Sequence, residues 1–465
     1  MTGERRDVGS AETLAPQEGW QRLALGVLQK SGVLGDEATP ADAEVRLRTR
    51  VLDGFDVAAL YTGLGRAPEP GFPGARPFLR GGGPAGAVTT GWDVRALHDD
   101  PEPQIANAAI LDDLNGGVTS IWLRFGLDAI PSASLATVLD GVLLDLAPVA
   151  LDAGSEGPEV GRAFLRLLHE RGVAPEAARG TLGVDPLGVL VRTGAPADLA
   201  GATRLAVQVA RTHPALRTIT VDALAYAEVG ASDTEELGCS IAAGIAYLRA
   251  LVEGGLDVDT ACRQLEFRYA ATQDQWMTIA KLRAARRLWS RVTEVLGASE
   301  DVSAQRQHAV AAPTMLTRRN PWVNLLRVGV AAFAAGVAGA DAITAMPFDA
   351  AIGRSDDLAR RLARNTLALL QDEAELSAVV DPAGGSWYVE QLTDELARAA
   401  WPWVQEIERL RGRPDALASG LVAERIAKTR TQRIDRLRRR LDPITGVSEF
   451  ADLGERPVVR VPRRP

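Results

Sequence analysis

The sequence predicts an α/β chain built on a (β/α)8 TIM barrel, with an N-terminal arm before it and a C-terminal helical extension after it. Short β-branched or apolar runs alternate with helix-period segments from about residue 105 to residue 388, the pattern of a parallel sheet. Eight such runs suit a closed barrel better than an open doubly wound sheet. The chain has 465 residues, 46% hydrophobic and 24% charged, enough for one large barrel with extensions.

Residues 17–30 bring Trp20, Leu23, Leu25, Val27 and Leu28 within one or two turns of each other, as in a short amphipathic helix. The Gly/Pro-rich segment 63–86 cannot hold a long helix or a central strand, because each proline removes a donor and fixes φ. It reads either as a surface loop or as an arm that reaches across a partner. The eight runs are 118–125, 147–152, 180–184, 218–222, 265–269, 308–315, 341–346 and 377–380. Between the fifth and sixth, residues 274–296 form a helix. Its Trp276, Ile279, Ala280, Leu288, Trp289, Val292, Val295 and Leu296 make one broad apolar stripe, with Lys281, Arg283, Arg287 and Arg291 covering the rest. Asn320 as N-cap and Pro321 at the first position open another helix. Residues 328–345 read as a buried helix feeding a strand, since Gly329, Gly336, Gly339 and Asp341 break any membrane span. After Tyr388 the chain turns helical and basic. Arg425, Lys428, Arg430, Arg433, Arg436, Arg438, Arg439 and Arg440, interrupted by Glu424 and Asp435, fit a solvated helix closing the domain. The division is an N-terminal helix and arm (1–88), the barrel (89–400) and the extension (401–465).

A formal charge of −8 argues against a nucleic-acid platform. Cys239 and Cys262, without CxxC or a Cys/His cluster, give neither a disulfide framework nor a zinc site and fit a reducing cytoplasm. Residues 1–15 lack the basic and apolar regions of a signal peptide.

Barrel chemistry sits at the C-terminal ends of the strands. The residues expected there are Arg124, Phe125, Asp152, Asp185, Asp222, Tyr269, Thr317, Arg318 and Arg319. General acid–base catalysis is most often the work of histidine. His169 and His213 fall toward the opposite end, His308 starts a strand, and His98 precedes the first run as a solvent-exposed residue. Asp152, Asp185 and Asp222 at successive strand ends are a candidate divalent-metal set, set against ordinary strand-end hydrogen bonding. No GxGxxG follows a strand, and no phosphate loop, GxSxG or HExxH occurs. The expected mouth is chemically quiet.

Four stretches resemble the methylmalonyl-CoA mutase family: TRRNPWVNLLR at 317–327, AKLRAAR at 280–286, LARNT at 362–366 and VDPAGGSWYV at 380–389. WQRL from residue 20, LDGFD from 52 and GVSEF at 446–450 are similar to the small (auxiliary, beta) subunit of its two-chain members. The resemblance implies a TIM barrel through which a CoA ester threads, beside a flavodoxin-like domain carrying adenosylcobalamin. That domain's cobalt-ligating Asp-x-His-x-x-Gly motif does not occur in this sequence.

The family's catalytic side chains do not carry over. The resemblance puts Ala225 at the family's His, Leu97 at its substrate-facing Tyr and Gly183 at its active-site Gln, with Arg192 at its carboxylate-binding Arg. None of the three replacements can hydrogen-bond through its side chain, and one oriented donor is worth roughly 3 kcal/mol in a transition state. The resemblance therefore implies a non-catalytic subunit with no catalytic, cofactor-binding or metal-binding residues of its own. Its partner is a large catalytic subunit that holds adenosylcobalamin and interconverts methylmalonyl-CoA and succinyl-CoA; neither nucleic acid nor membrane is a partner. Two alternatives stand. One is an active acyl-CoA mutase subunit that uses a separate cobalamin-binding chain, with His98 or Tyr226 replacing the lost His. The other is an acyl-CoA-binding regulatory barrel.

Overall fold

A computed structural model describes residues 11–65, 67–410 and 413–463. The segment read above for a leader lies, up to residue 10, outside the described residues.

Eight parallel strands close into a barrel: β1 (Asp93–His98), β2 (Ser120–Arg124), β3 (Val149–Asp152), β4 (Gly180–Val184), β5 (Leu216–Asp222), β6 (Leu265–Ala271), β7 (Gln307–Ala311) and β8 (Ala342–Thr344). β8 closes onto β1 through Ala342 opposite Asp93 and Ile343 opposite Val94. Seven of the eight runs contain or overlap a strand, and two corrections follow. The first barrel strand is Asp93–His98, whose single β-branched residue, Val94, gave it no strand signature. Run 377–380 is not a strand: it forms bends between a helical turn and the loop before helix Trp387–Arg409, with Val379 exposed.

The helical layer corrects two further expectations. Helix Gln275–Val295, capped by Asp274, is buried on nearly every side, because helices Asp233–Glu253, Val323–Val337 and Trp387–Arg409 pack around it. Two of the four cations expected in solvent lie inside, while Arg287 is half-buried and Arg291 is exposed as expected. Lys281 is 2.7 Å from Asp233 and 2.6 Å from Glu236, while Arg283 meets Glu390 at 2.6 Å and also Asp381. Opposite charges at hydrogen-bonding distance are what make such burial tolerable. Conversely, Trp276, Val295 and Leu296 of the presumed core stripe are exposed. The helix signalled by Asn320 and Pro321 begins slightly later, at Val323, with Asn320 in a positive-φ turn.

Segment 63–86 lies against its own barrel. Phe78 and Leu79 are buried, and the guanidinium of Arg286 donates to both their carbonyls at 2.8 and 2.9 Å. Arg76 reaches the carbonyls of Ser290 and Ala298. Helices Ala11–Lys30 and Pro40–Leu47, by contrast, pack chiefly on one another and leave Leu23, Val27 and Val45 exposed. At the other end, the tail crosses the rim of the barrel mouth, where Arg463 grips Asp99 and Arg460 grips Asp349 and Asp356. Both cysteines are free and buried. No helix among the described residues is long and apolar enough to cross a membrane.

Candidate functional site: the bore and mouth of the barrel

Alternation along a strand sends every second side chain into a barrel's bore. In β6 the inward set is Glu266 and Arg268, while Phe267 points outward and meets Trp289 edge to face. Low in the bore, Arg95 of β1 donates to Glu266 at 2.8 Å and to Ser120 at 2.9 Å. Burial opposes ionisation of Glu266, but the Arg95 and Arg306 guanidiniums outweigh it and bring its pKa down to about 2. Above this pair Trp122 fills the centre, with His308 edge-on at 5.3 Å and the Arg268 guanidinium over its ring at 4.1 Å. Thr181 and Thr220 share a hydrogen bond beside them. Trp122, Arg95, Arg268 and His308 are at most 2% exposed. The bore is packed with large side chains.

His308 is held neutral: burial, then the Arg95, Arg268 and Arg306 guanidiniums, push its pKa well below the ordinary value. Its Nδ1 faces the Arg268 Nε–H at 3.4 Å, which leaves the proton on Nε2, 2.8 Å from the Thr344 hydroxyl. An imidazole pinned at both nitrogens cannot accept a proton from a substrate without breaking that pairing.

The mouth is charged, which corrects the quiet mouth expected from the sequence. Arg268 bridges Asp222 at 3.1 Å and Asp152 at 3.3 Å, and Arg192 also pairs with Asp222. Burial opposes ionisation of Asp222, yet Arg192 and Arg268 hold its carboxyl below the usual carboxylate range. Asp185 turns to cap helix Pro186–Thr193 through the Gly188 N–H and accepts the Tyr247 hydroxyl. Burial and the neighbouring Asp222 raise its pKa to about 6. The three aspartates thus serve guanidiniums and a helix start. Among the described residues no group of three or more His, Cys, Asp or Glu side chains is placed to hold a metal ion.

Other residues expected at the mouth divide. Arg124 and Asp152 are there, loosely paired at 3.9 Å. Tyr269 is not: its hydroxyl bonds Ser240 at 2.9 Å and Gln305 at 3.0 Å, so it faces the helices. Thr317 bonds Asn324 and Arg327, while Arg318 and Arg319 are exposed. His98 closes β1 and is buried, which corrects its reading as a solvent-exposed residue ahead of the strands. Its ring faces Asp113 of helix Pro103–Asn115 at 3.5 Å, and burial drops its pKa to about 3. Ala225 and Tyr226 are buried in the short helix Leu224–Glu228 that follows β5.

Gly183 is more than a lost side chain. Its φ is +64°, and a Cβ there would stand 1.7 Å from the Leu151 carbonyl oxygen. β4 shifts register against β5 between Thr181 and Val184, so the backbone itself occupies the space a side chain would need. The bore residues Arg95, Trp122, Glu266 and Arg268 escaped the sequence reading. The signal was present in LEFRY at 265–269, where charged residues alternate with apolar ones inside a strand.

The methylmalonyl-CoA mutase family matches residues 129–463. The chain is 54% identical over 449 residues to the methylmalonyl-CoA mutase small subunit of Streptomyces virginiae, covering 96% of this chain and 72% of that relative. To the small subunit of Propionibacterium freudenreichii subsp. shermanii it is 38% identical, covering 96% and 70%. To the large subunit of Streptomyces virginiae it is 30% identical over 432 residues, covering 86% and 58%. With the closed parallel barrel, these matches make the chain a member of the methylmalonyl-CoA mutase family, similar to its small subunits.

Proposed function

We propose that the chain is the non-catalytic small subunit of a heterodimeric, adenosylcobalamin-dependent methylmalonyl-CoA mutase of the cytoplasm, whose large subunit interconverts methylmalonyl-CoA and succinyl-CoA. The observation that carries this reading is the filled bore. The Arg95–Glu266 pair, Trp122 and Arg268 stand where a CoA ester would have to thread. Each is held by buried partners, so admitting a ligand would strip charges of their counter-charges, a cost of several kcal/mol. Ala225, Leu97 and Gly183 add no polar side chain in compensation.

The imidazoles of this chain are not placed to serve as ligands to adenosylcobalamin. His98 and His308 are buried, and His169 and His213 lie toward the end of the barrel away from the mouth. No step is drawn through the cofactor, which we assign to the large subunit. Placement also counts against an active mutase built on His98 or Tyr226. His98 faces a helix, and Tyr226 is buried close enough to Tyr247 to raise that phenol's pKa.

The contact with the large subunit we assign to the N-terminal region, where helix Ala11–Lys30 leaves Leu23 and Val27 uncovered. The test is direct. The purified chain with adenosylcobalamin should form no succinyl-CoA, and co-expression with the large subunit should yield a 1:1 complex. Turnover by the chain alone would overturn the reading. Calorimetric titration with a CoA ester addresses a regulatory barrel: no heat at millimolar ligand is expected.

A further inference from the structure

In a chain only 5% aromatic, four rings gather at one place on the surface. Tyr61 and Tyr388 lie 4.8 Å apart between ring centroids, and Trp276 lies 5.6 Å from Tyr388. The indole of Trp387 covers Gly63, where an added Cβ would stand 3.4 Å from it. Trp387 is 60% and Trp276 40% exposed, an unusual state for the residue type with most to gain from burial. The rings come from three separate stretches: the end of the N-terminal region and the first turns of helices Gln275–Val295 and Trp387–Arg409.

The carboxylates of Glu395 and Asp274 border these rings, and neither closes an ion pair among the described residues, although Arg398 acts on the first and Lys281 on the second from farther off. Glu395 accepts only a long bond from Gln391 at 3.4 Å, and its Oε2 is buried without a partner among the described residues. The nearby cation, Arg398, is engaged by Asp394 at 2.7 Å. Burial, then Asp394, raises the Glu395 pKa, and burial likewise raises that of Asp274. Glu395 is near enough to both phenols for its charge to raise their pKa values. Aromatic faces carry negative potential, and together with unneutralised carboxylates they attract a guanidinium or ammonium group rather than a neutral or acidic one.

Resting on the subunit reading above, we propose that this platform (Tyr61, Trp276, Trp387, Tyr388 and Glu395) seats a cationic side chain presented by the large subunit. It adjoins the N-terminal region assigned to that contact. Exposed Trp with Tyr is the composition of an interface hot spot, and a cation settling there would give Glu395 the donor it lacks.

The experiment measures the dissociation constant of the full chain from the large subunit at low and high salt, with melting curves confirming that each variant folds. Trp387→Ala or Trp276→Ala should weaken association about 10-fold or more, the scale of a hot-spot truncation. Glu395→Gln should weaken it and flatten its salt dependence, and Glu395→Lys should weaken it further still. A folded Trp387→Ala and a folded Glu395→Lys that both bind like the unaltered chain, with an unchanged salt slope, would overturn the proposal. If the unaltered chains form no complex at all, the subunit reading has failed, and this inference fails with it.

Discussion

The bore of the barrel and the N-terminal pair of helices treat their side chains in opposite ways. In the bore, charged groups pair with one another, Arg95 with Glu266, Arg268 with Asp152 and Asp222, and His308 with Thr344, while Trp122 Nε1 and one Arg268 nitrogen are buried without a hydrogen-bond partner among the described residues. The N-terminal helices spend their apolar residues on each other and on solvent, with Leu23 75% and Val27 66% exposed. A barrel that bound a substrate along its axis would need the reverse, with an open bore and a sealed exterior. The contrast teaches that the interior is filled by groups that hold one another, while the exterior leaves apolar side chains open to contact.

Breaking the interior should have the largest effect. Glu266→Gln leaves the Arg95 charge buried without its counter-charge and should cost about 3–5 kcal/mol at neutral pH, read by urea unfolding. Its pH course is also set. The folded-state pKa of Glu266 is about 2, below the ordinary 4.5, so its contribution is fully present above 4.5 and lost as pH falls toward 2. The gap between Glu266→Gln and the unaltered chain should therefore close over that window, as far as the fold survives there. A gap constant with pH would show that the Arg95 pair does not carry it.

Gly183→Ala should be the next largest, at about 2–3 kcal/mol, since the positive φ and the Leu151 carbonyl both oppose a Cβ. A melting temperature unchanged by this substitution would mean that β4 can relax, and that the space is not closed. The smallest effect on stability belongs to the exterior. Leu23→Ser with Val27→Ser should leave unfolding within about 0.5 kcal/mol yet reduce capture of the large subunit. Loss of stability without loss of capture would reverse the comparison.

The barrel was legible because its strands are short apolar runs at regular spacing, and helix Gln275–Val295 because its residues follow a helical period. What escaped depended on neighbours that a single stretch does not display. DVRALH at 93–98 is a strand because β2 and β8 pair with it on either side, not because its residues prefer one. Lys281 and Arg283 looked like a solvent face until Glu236, Asp381 and Glu390, distant in sequence, came to meet them. The losses at residues 97, 183 and 225 could be read from the resemblance. The alternation in LEFRY put Glu266 and Arg268 on one face, but which way that face points is decided only by the closure of the barrel.

The turn of the chain at Gly183 makes the change hard to undo. Returning glutamine to that position by one codon would drive its Cβ into the carbonyl of the neighbouring strand, and β4 would first have to slide back into regular pairing. The backbone thus reserves this position for glycine, and a larger residue would be admitted only after the strand pairing had changed.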